Sequence, residues 1–152
     1  KLSNTIFLVD DCEKTKLPNN SVDRILCCGM LHHLDVSNAF QEMHRILKPG
    51  GKILALEALN YNPLIAMYRQ RTPELRTEWE KDHILTLKDV KYAKKYFKVN
   101  SIKYFHFTSP FGRYFPFLLQ IFNLLDSIIT KIPFIQLWSW QFTFELEKKL
   151  ET

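Results

Sequence analysis

The chain has 152 residues, 46% of them apolar, with 21 Lys and Arg against 16 Asp and Glu for a formal net charge of +5. That is one domain's worth, enough for a single packed core, and the basic excess is interleaved with acids, which fits a solvated surface better than a nucleic-acid groove. Three cysteines, two of them adjacent in an apolar run, make no disulfide framework and indicate a reducing compartment, expected to be the cytoplasm.

The sequence starts on Lys1 and runs almost at once into Thr5-Ile6-Phe7-Leu8-Val9, a β-branched and aromatic run that predicts a strand buried on both faces and ending at Asp10-Asp11. Neither a natural start nor a secretory leader reads this way, so a protein that has lost its front is expected. Arg24–Met30 predicts a second buried strand. Val36-Ser37-Asn38 supplies a helix cap, and Ala39, Phe40, Met43, Ile46 and Leu47 recur on one helical face. Pro49-Gly50-Gly51 stops that helix, and Lys52–Leu59 is a third strand. A strand, helix and strand joined by such short links imply a right-handed crossover and a parallel pair.

Farther on, Asn62-Pro63 opens a helix through Arg71, and Thr72–His83 is a charged connector carrying Trp79. Thr86 leads into a helix over Leu87–Phe97 with Val90, Ala93, Tyr96 and Phe97 toward the core, and Val99–Thr108 alternates as a strand. Phe115–Ile135 is strongly apolar, yet Gln120, Asn123, Ser127 and Thr130 draw a polar stripe down it between Pro116 and Pro133. It therefore reads as an amphipathic helix rather than a membrane span: a cover for the sheet, a lid over an apolar substrate or a surface that touches lipid. Trp138–Glu147 predicts the final strand.

Open parallel sheets bind ligands at the carboxyl ends of their strands. Three such ends are visible: Asp10-Asp11-Cys12, Gly29-Met30-Leu31-His32-His33, and Glu57-Ala58-Leu59-Asn60. A metal site built from Cys27, Cys28, His32 and His33 fails on spacing, because adjacent strand residues point to opposite faces, so no metal is expected. Arg69, Arg71, Arg76, Trp79 and His83 gather charge and aromatic surface that would suit an anionic acceptor or simply an exposed helix.

Taken in order, Leu17-Pro18, Ser21-Val22-Asp23, Leu31-His32-His33-Leu34, the helix Asn38–Leu47 and the run Leu47-Lys48-Pro49-Gly50-Gly51-Lys52 resemble the second half of a class I S-adenosylmethionine-dependent methyltransferase of the type 11, ubiquinone-biosynthesis-like group. The resemblance implies an α/β fold: a partial Rossmann-like sheet, mostly parallel with an antiparallel last strand, plus the amphipathic helical insertion. Residues 1–152 would form one incomplete domain, with a cofactor-side half at 1–60, substrate-side elements at 61–135 and a terminal strand at 136–152. By the same resemblance Asp11 accepts from the adenine amino group, the Cys12 amide meets a ring nitrogen, and Met30 and Leu31 belong to the loop facing the methyl donor. His33 becomes the candidate catalytic base, and His32, Glu57 and Asn60 the candidate substrate contacts. Lys48–Gly51 turns the chain at the opposite edge and touches no ligand.

The family's G-x-G-x-G loop, and the acid that binds the ribose, are not among these residues; only Gly29, Gly50, Gly51 and Gly112 occur. This polypeptide alone is therefore expected to bind S-adenosylmethionine poorly and to be inactive. In the family order 3-2-1-4-5-7-6, residues 5–9 are strand 3, so they are expected to pair beside Arg24–Met30 or to join the edge of a second chain as a homodimer. The implied activity is methyl transfer to a small molecule, glycan- or lipid-linked, with peripheral lipid contact through 115–135. The competing reading is a noncatalytic methyltransferase-like association module; a nicotinamide-binding domain fails for want of the glycine fingerprint.

Overall fold

A computed structural model describes residues 4–75, 77–79 and 83–150. Its centre is a four-stranded sheet built from β1 (Val22–Cys28), β2 (Leu47–Ala58), β3 (Phe97–Phe105) and β4 (Gln141–Lys148), in the order β1-β2-β4-β3. β1 and β2 are parallel, while β4 lies antiparallel to both β2 and β3. This is the 4-5-7-6 part of the expected order, antiparallel last strand included. Because that strand sits between two others, it makes two of the three pairings antiparallel, and the sheet is mixed.

The helices α1 (Val36–Ile46), α2 (Pro63–Arg71), α3 (Leu87–Ala93) and α4 (Leu119–Ile129) lie between the strands in sequence. α1 carries Ala39, Phe40 and Met43, and α3 Val90 and Ala93, into a core with Cys27, Ile53, Ala55, Phe97, Phe142, Phe144 and Leu146. Alternation along the strands sends those residues to one face. On the other face Leu26, Cys28 and Leu54 are exposed. The inward row of β4, Phe142, Phe144 and Leu146, ends on Lys148, which is 3% exposed. Its ammonium donates to Asn20 Oδ1 at 2.8 Å, His44 O at 2.8 Å and Leu47 O at 2.9 Å, satisfying carbonyls that the end of α1 leaves open.

The helix starts follow from side-chain caps. Asn62 accepts from Leu64 N and Ile65 N ahead of Pro63, and Thr86 forms a reciprocal capping box with Asp89. At α1 the cap is Asp35, which accepts from Ser37 N and Asn38 N, so the helix begins one turn position earlier than Val36-Ser37-Asn38 suggested. A carboxylate is the better acceptor for amides at the positive end of a helix, and it displaces the serine. The helix stops at Ile46, and Gly50 then takes φ +73° in the turn into the paired part of β2. Gly51 is needed for a different reason: a Cβ there would lie 2.8 Å from Leu47 Cγ and from Lys48 O.

Three expectations change. α3 ends at Ala93, and Phe97 opens β3 instead of closing the helix; its ring is in the core as expected, but from the strand. Residues 5–9 form no strand, and Ile6, Phe7, Leu8 and Val9 are exposed. In the strand order that the resemblance implies, this segment would stand three places from β1, and among the described residues no strand lies beside it to complete its backbone bonds. The outer edge of β1 is consequently open among the described residues.

The third concerns the apolar insertion. α4 does not lie flat on the sheet; it packs against the turns at 109–113 and 116–118, and a cavity of about 640 Å³ separates Asn123, Ser127 and Thr130 from Tyr104 and His106. Its hold is polar. Asp126 accepts from Thr108 N at 2.6 Å, Thr108 Oγ1 at 2.6 Å and Ser109 N at 3.1 Å. Burial pushes the Asp126 carboxyl up, and these bonds outweigh that push and leave it below the usual range.

Candidate functional site

The carboxyl ends of β1 and β2 meet at one point. Gly29, at φ +60°, turns the chain off β1 while its amide donates to Leu56 O at 2.8 Å. A single helical turn, Leu31–His33, follows. Glu57 holds this turn from β2: Oε1 accepts from Met30 N at 2.9 Å and Leu31 N at 2.8 Å, and Oε2 meets His32 Nδ1 at 2.7 Å. Glu57 is 1% exposed. It stands in the inward row Ile53, Ala55, Glu57, Leu59, where any unpaired carboxylate would be costly, and three donors converge on it.

This placement changes how several expected residues are to be read. Glu57, expected as a substrate contact, faces the loop, and both its oxygens are engaged there. Leu31 is completely buried, so only its backbone is available at the site. Met30 is half-buried. His32 is oriented by Glu57, and its ring lies 4.2 Å from that of His33, which is exposed. Period-two alternation along β2 was the signal for Glu57: a lone acid in register with three apolar residues has to face inward.

The second loop, Asp10–Lys16, is fastened to α1. Glu13 accepts from Asp35 N at 2.8 Å and Asn38 Nδ2 at 3.0 Å, and Glu42 accepts from Thr15 N at 2.9 Å and Thr15 Oγ1 at 2.6 Å. Arg45 braces Glu42 at 2.6 Å, and its hydrogen bond, with those of Thr15, holds the buried carboxyl down to about 2. Both oxygens of Asp10 are occupied by Asp11 N and Lys16 N. Asp11 is exposed and gives Oδ1 to Glu13 N at 2.9 Å, which leaves Oδ2 without a hydrogen bond to any described residue. Of the two neighbouring carboxylates, Asp11 is thus the one with an oxygen that no described residue occupies.

Cys12 is exposed. Cys27 is buried, and desolvation first, then Glu57 and Cys12, push its thiol up to about 12. Cys28 faces the opposite side, as the alternation required.

Asn60 follows β2 and accepts from Arg69 Nη1 at 3.0 Å. It borders a cavity of about 450 Å³ together with Asp35, Ser37, Trp79, His83 and Tyr92. Trp79 and His83 stack there, 3.6 Å between centroids and 4° apart. Sequence reading grouped these two with Arg69, Arg71 and Arg76; Arg76 lies outside the described residues, and the missed partners are Ser37 and Tyr92, joined at 2.8 Å across the mouth of α1. Two helices far apart in sequence give no local signal for such a bond.

Comparison with known proteins agrees with this geometry. Residues 1–55 match the profile of the family described as methyltransferase domain. A ubiquinone/menaquinone biosynthesis C-methyltransferase of Coxiella burnetii is 42% identical over 55 residues, 36% of this chain and 22% of that protein. The match thus spans about a fifth of the relative's length. Among solved structures, a SAM-dependent methyltransferase of Methanosarcina mazei superposes with a TM-score of 0.61 at 17% identity, covering 95% of this chain and 68% of that one. The geranyl diphosphate C-methyltransferase of Streptomyces coelicolor gives 0.60 at 16% identity over 92% of this chain and 50% of the other. Residues 1–55, about a third of the chain, are thus similar to the methyltransferase domain family, and the chain shares its fold with the solved methyltransferases on which it superposes.

Proposed function

We propose that this chain is the carboxyl-terminal part of an S-adenosylmethionine-dependent methyltransferase acting on a small, glycan- or lipid-linked acceptor. The observation that carries the reading is the Glu57 clamp on the Met30–His32 turn, at the carboxyl end of a parallel pair beside the Asp11 loop. Bound there, S-adenosylmethionine would supply a methyl group on a sulfonium, which needs an acceptor in line more than it needs strong acid or base help. Asp11, with Oδ2 open, would accept from the adenine amine, and the Cys12 amide would donate to the ring. Met30 and Leu31 form the floor with their backbone. His32, fixed by Glu57, would position the acceptor, and His33, exposed beside it, is the candidate general base.

Asn60 and the Trp79–His83 stack offer the acceptor a polar group and a flat apolar wall. A lipid-linked acceptor is supported by the exposed apolar surface of residues 111–140 and by the named activity of the Coxiella relative. The three free cysteines support a reducing compartment such as the cytoplasm. Among the described residues no helix is long and apolar enough to cross a membrane.

The test is methyl incorporation from labelled S-adenosylmethionine by the complete gene product, with calorimetry of this chain against S-adenosylhomocysteine alongside. Transfer by the complete protein with weak binding by the chain is the expected result. Tight binding by the chain would overturn the view that a glycine-rich loop must be supplied. A noncatalytic association module is favoured by one observation, the open edge of β1. No transfer by the complete protein, and no glycine-rich loop encoded upstream of Lys1, would select it.

A further inference from the structure

α4 is turned the wrong way round for a helix of a water-soluble domain. Its buried residue is Asp126, and Ile121, Leu124, Leu125 and Ile128 recur at i, i+3, i+4 and i+7 on the side facing water. The orientation is fixed: Asp126 is tied to the backbone amides of Thr108 and Ser109 and to the Thr108 hydroxyl. Polar Asn123, Ser127 and Thr130 look into the cavity, so rotating the helix to hide its leucines would strip Asp126 of its donors.

The apolar surface continues beyond the helix. Phe117 is 79% exposed, and Phe134, held at φ +66° where non-glycine residues are rare, is 83% exposed. Tyr114 and Trp138, aromatic rings with polar tips, are exposed as well. This exceeds the scattered exposure normal for a soluble surface.

Charge identifies the occupant. From residue 107 to 140 the single acid is Asp126, which is buried, while the cations Arg113 and Lys131 are exposed. A second copy docked face to face would set these cations against their own kind with no acid of the patch to meet them. Anionic lipid headgroups complement them, and Trp, Tyr, Phe and Leu beside basic residues are the composition of an interfacial helix. At 11 residues, about 16 Å, α4 is too short to span and long enough to lie in the interface plane.

We infer that α4, with Phe117, Phe134 and Trp138, is a membrane-docking face that seats the protein on an anionic bilayer by in-plane insertion of Ile121, Leu124, Leu125 and Ile128.

The test is co-sedimentation of the chain with vesicles of phosphatidylcholine alone and of phosphatidylcholine with about one-third phosphatidylglycerol. Binding is expected to the anionic vesicles and to weaken with added salt, and Trp138 fluorescence should shift to the blue. Leu124→Asp with Ile128→Asp, both exposed and outside the core, should lower the partition coefficient at least about tenfold, with circular dichroism unchanged. Leu26→Asp, on the bare sheet face, should leave it as it is. Arg113→Glu with Lys131→Glu should abolish the preference for anionic lipid. Failure to sediment with either vesicle overturns the inference, as does binding that Leu26→Asp and Leu124→Asp weaken equally. So does a monomer-to-dimer equilibrium that the α4 variants abolish while vesicle binding is absent.

Discussion

Replacing Glu57 by alanine tests the clamp on which the site depends. Its carboxylate takes two backbone amides and one histidine nitrogen at 2.7 to 2.9 Å, in a position 1% exposed. Alanine leaves the Met30 and Leu31 amides without acceptors where water has little access. At about 1 to 3 kcal/mol for each unsatisfied group, plus the space left behind, the loss should reach about 4 kcal/mol. Glutamine keeps the volume and one acceptor oxygen, so Glu57→Gln should lose only the charge assistance, about 1 to 2 kcal/mol. Urea unfolding followed by tryptophan fluorescence reads both values, and a double-mutant cycle with His32→Ala should give a coupling of about 1 kcal/mol. An alanine variant within about 1 kcal/mol of the parent would refute the reasoning, because donors truly stranded in the interior cannot be that inexpensive. In the complete protein, on the proposed function, Glu57→Gln should weaken cofactor binding by loosening its hold on the Met30–His32 turn, measured as a raised KM for S-adenosylmethionine.

Glu42 should set part of the acid sensitivity. Its folded carboxyl titrates near 2 against an ordinary 4.5, so it contributes stability above the ordinary value, and this is lost as pH falls through the folded one. With its side chain 7% exposed but Arg45 35% exposed, Glu42→Gln should cost about 2 to 3 kcal/mol at neutral pH. Urea midpoints of parent and variant should converge near pH 2; a gap that persists unchanged down to that pH would contradict the assignment. Gly51→Ala should cost about 1 to 3 kcal/mol by overpacking against Leu47, read as a lower thermal midpoint. Asp11→Asn in the complete protein should weaken S-adenosylhomocysteine binding in calorimetry, whereas Asp10→Asn should chiefly lower the melting temperature, since Asp10 is occupied by its own loop.

Much of the fold was readable because the residues that mark it act locally. Asn62 before Pro63 and Thr86 before Asp89 cap their helices wherever the chain goes, and the alternation in β4 needs no knowledge of its neighbours. Residues 5–9 show the limit of such reading: their pattern is that of a strand, yet a strand exists only through its ladder partner, and pattern cannot supply one. For α4, periodicity found two faces, but which of them meets water was decided by donors at Thr108 and Ser109, eighteen and seventeen residues away from Asp126. At the site, position at a strand's end suggested a ligand contact for Glu57 as readily as for Asp11. The structure separates them by exposure, one buried and engaged, the other open with an oxygen to offer.

The place of β4 has a consequence for how the molecule comes to be. It is made after every other described element, yet it stands in the middle of the sheet, joining β2 to β3, and its Lys148 closes the end of α1. Until those eight residues leave the ribosome, the β1-α1-β2 unit and the α3-β3 unit have no ladder in common. Each then shows an unpaired inner edge to the crowded cell. The nascent chain therefore acquires its sheet in one late step, and the emergence of β4, rather than of any described element before it, is the event that joins two fragments into one sheet.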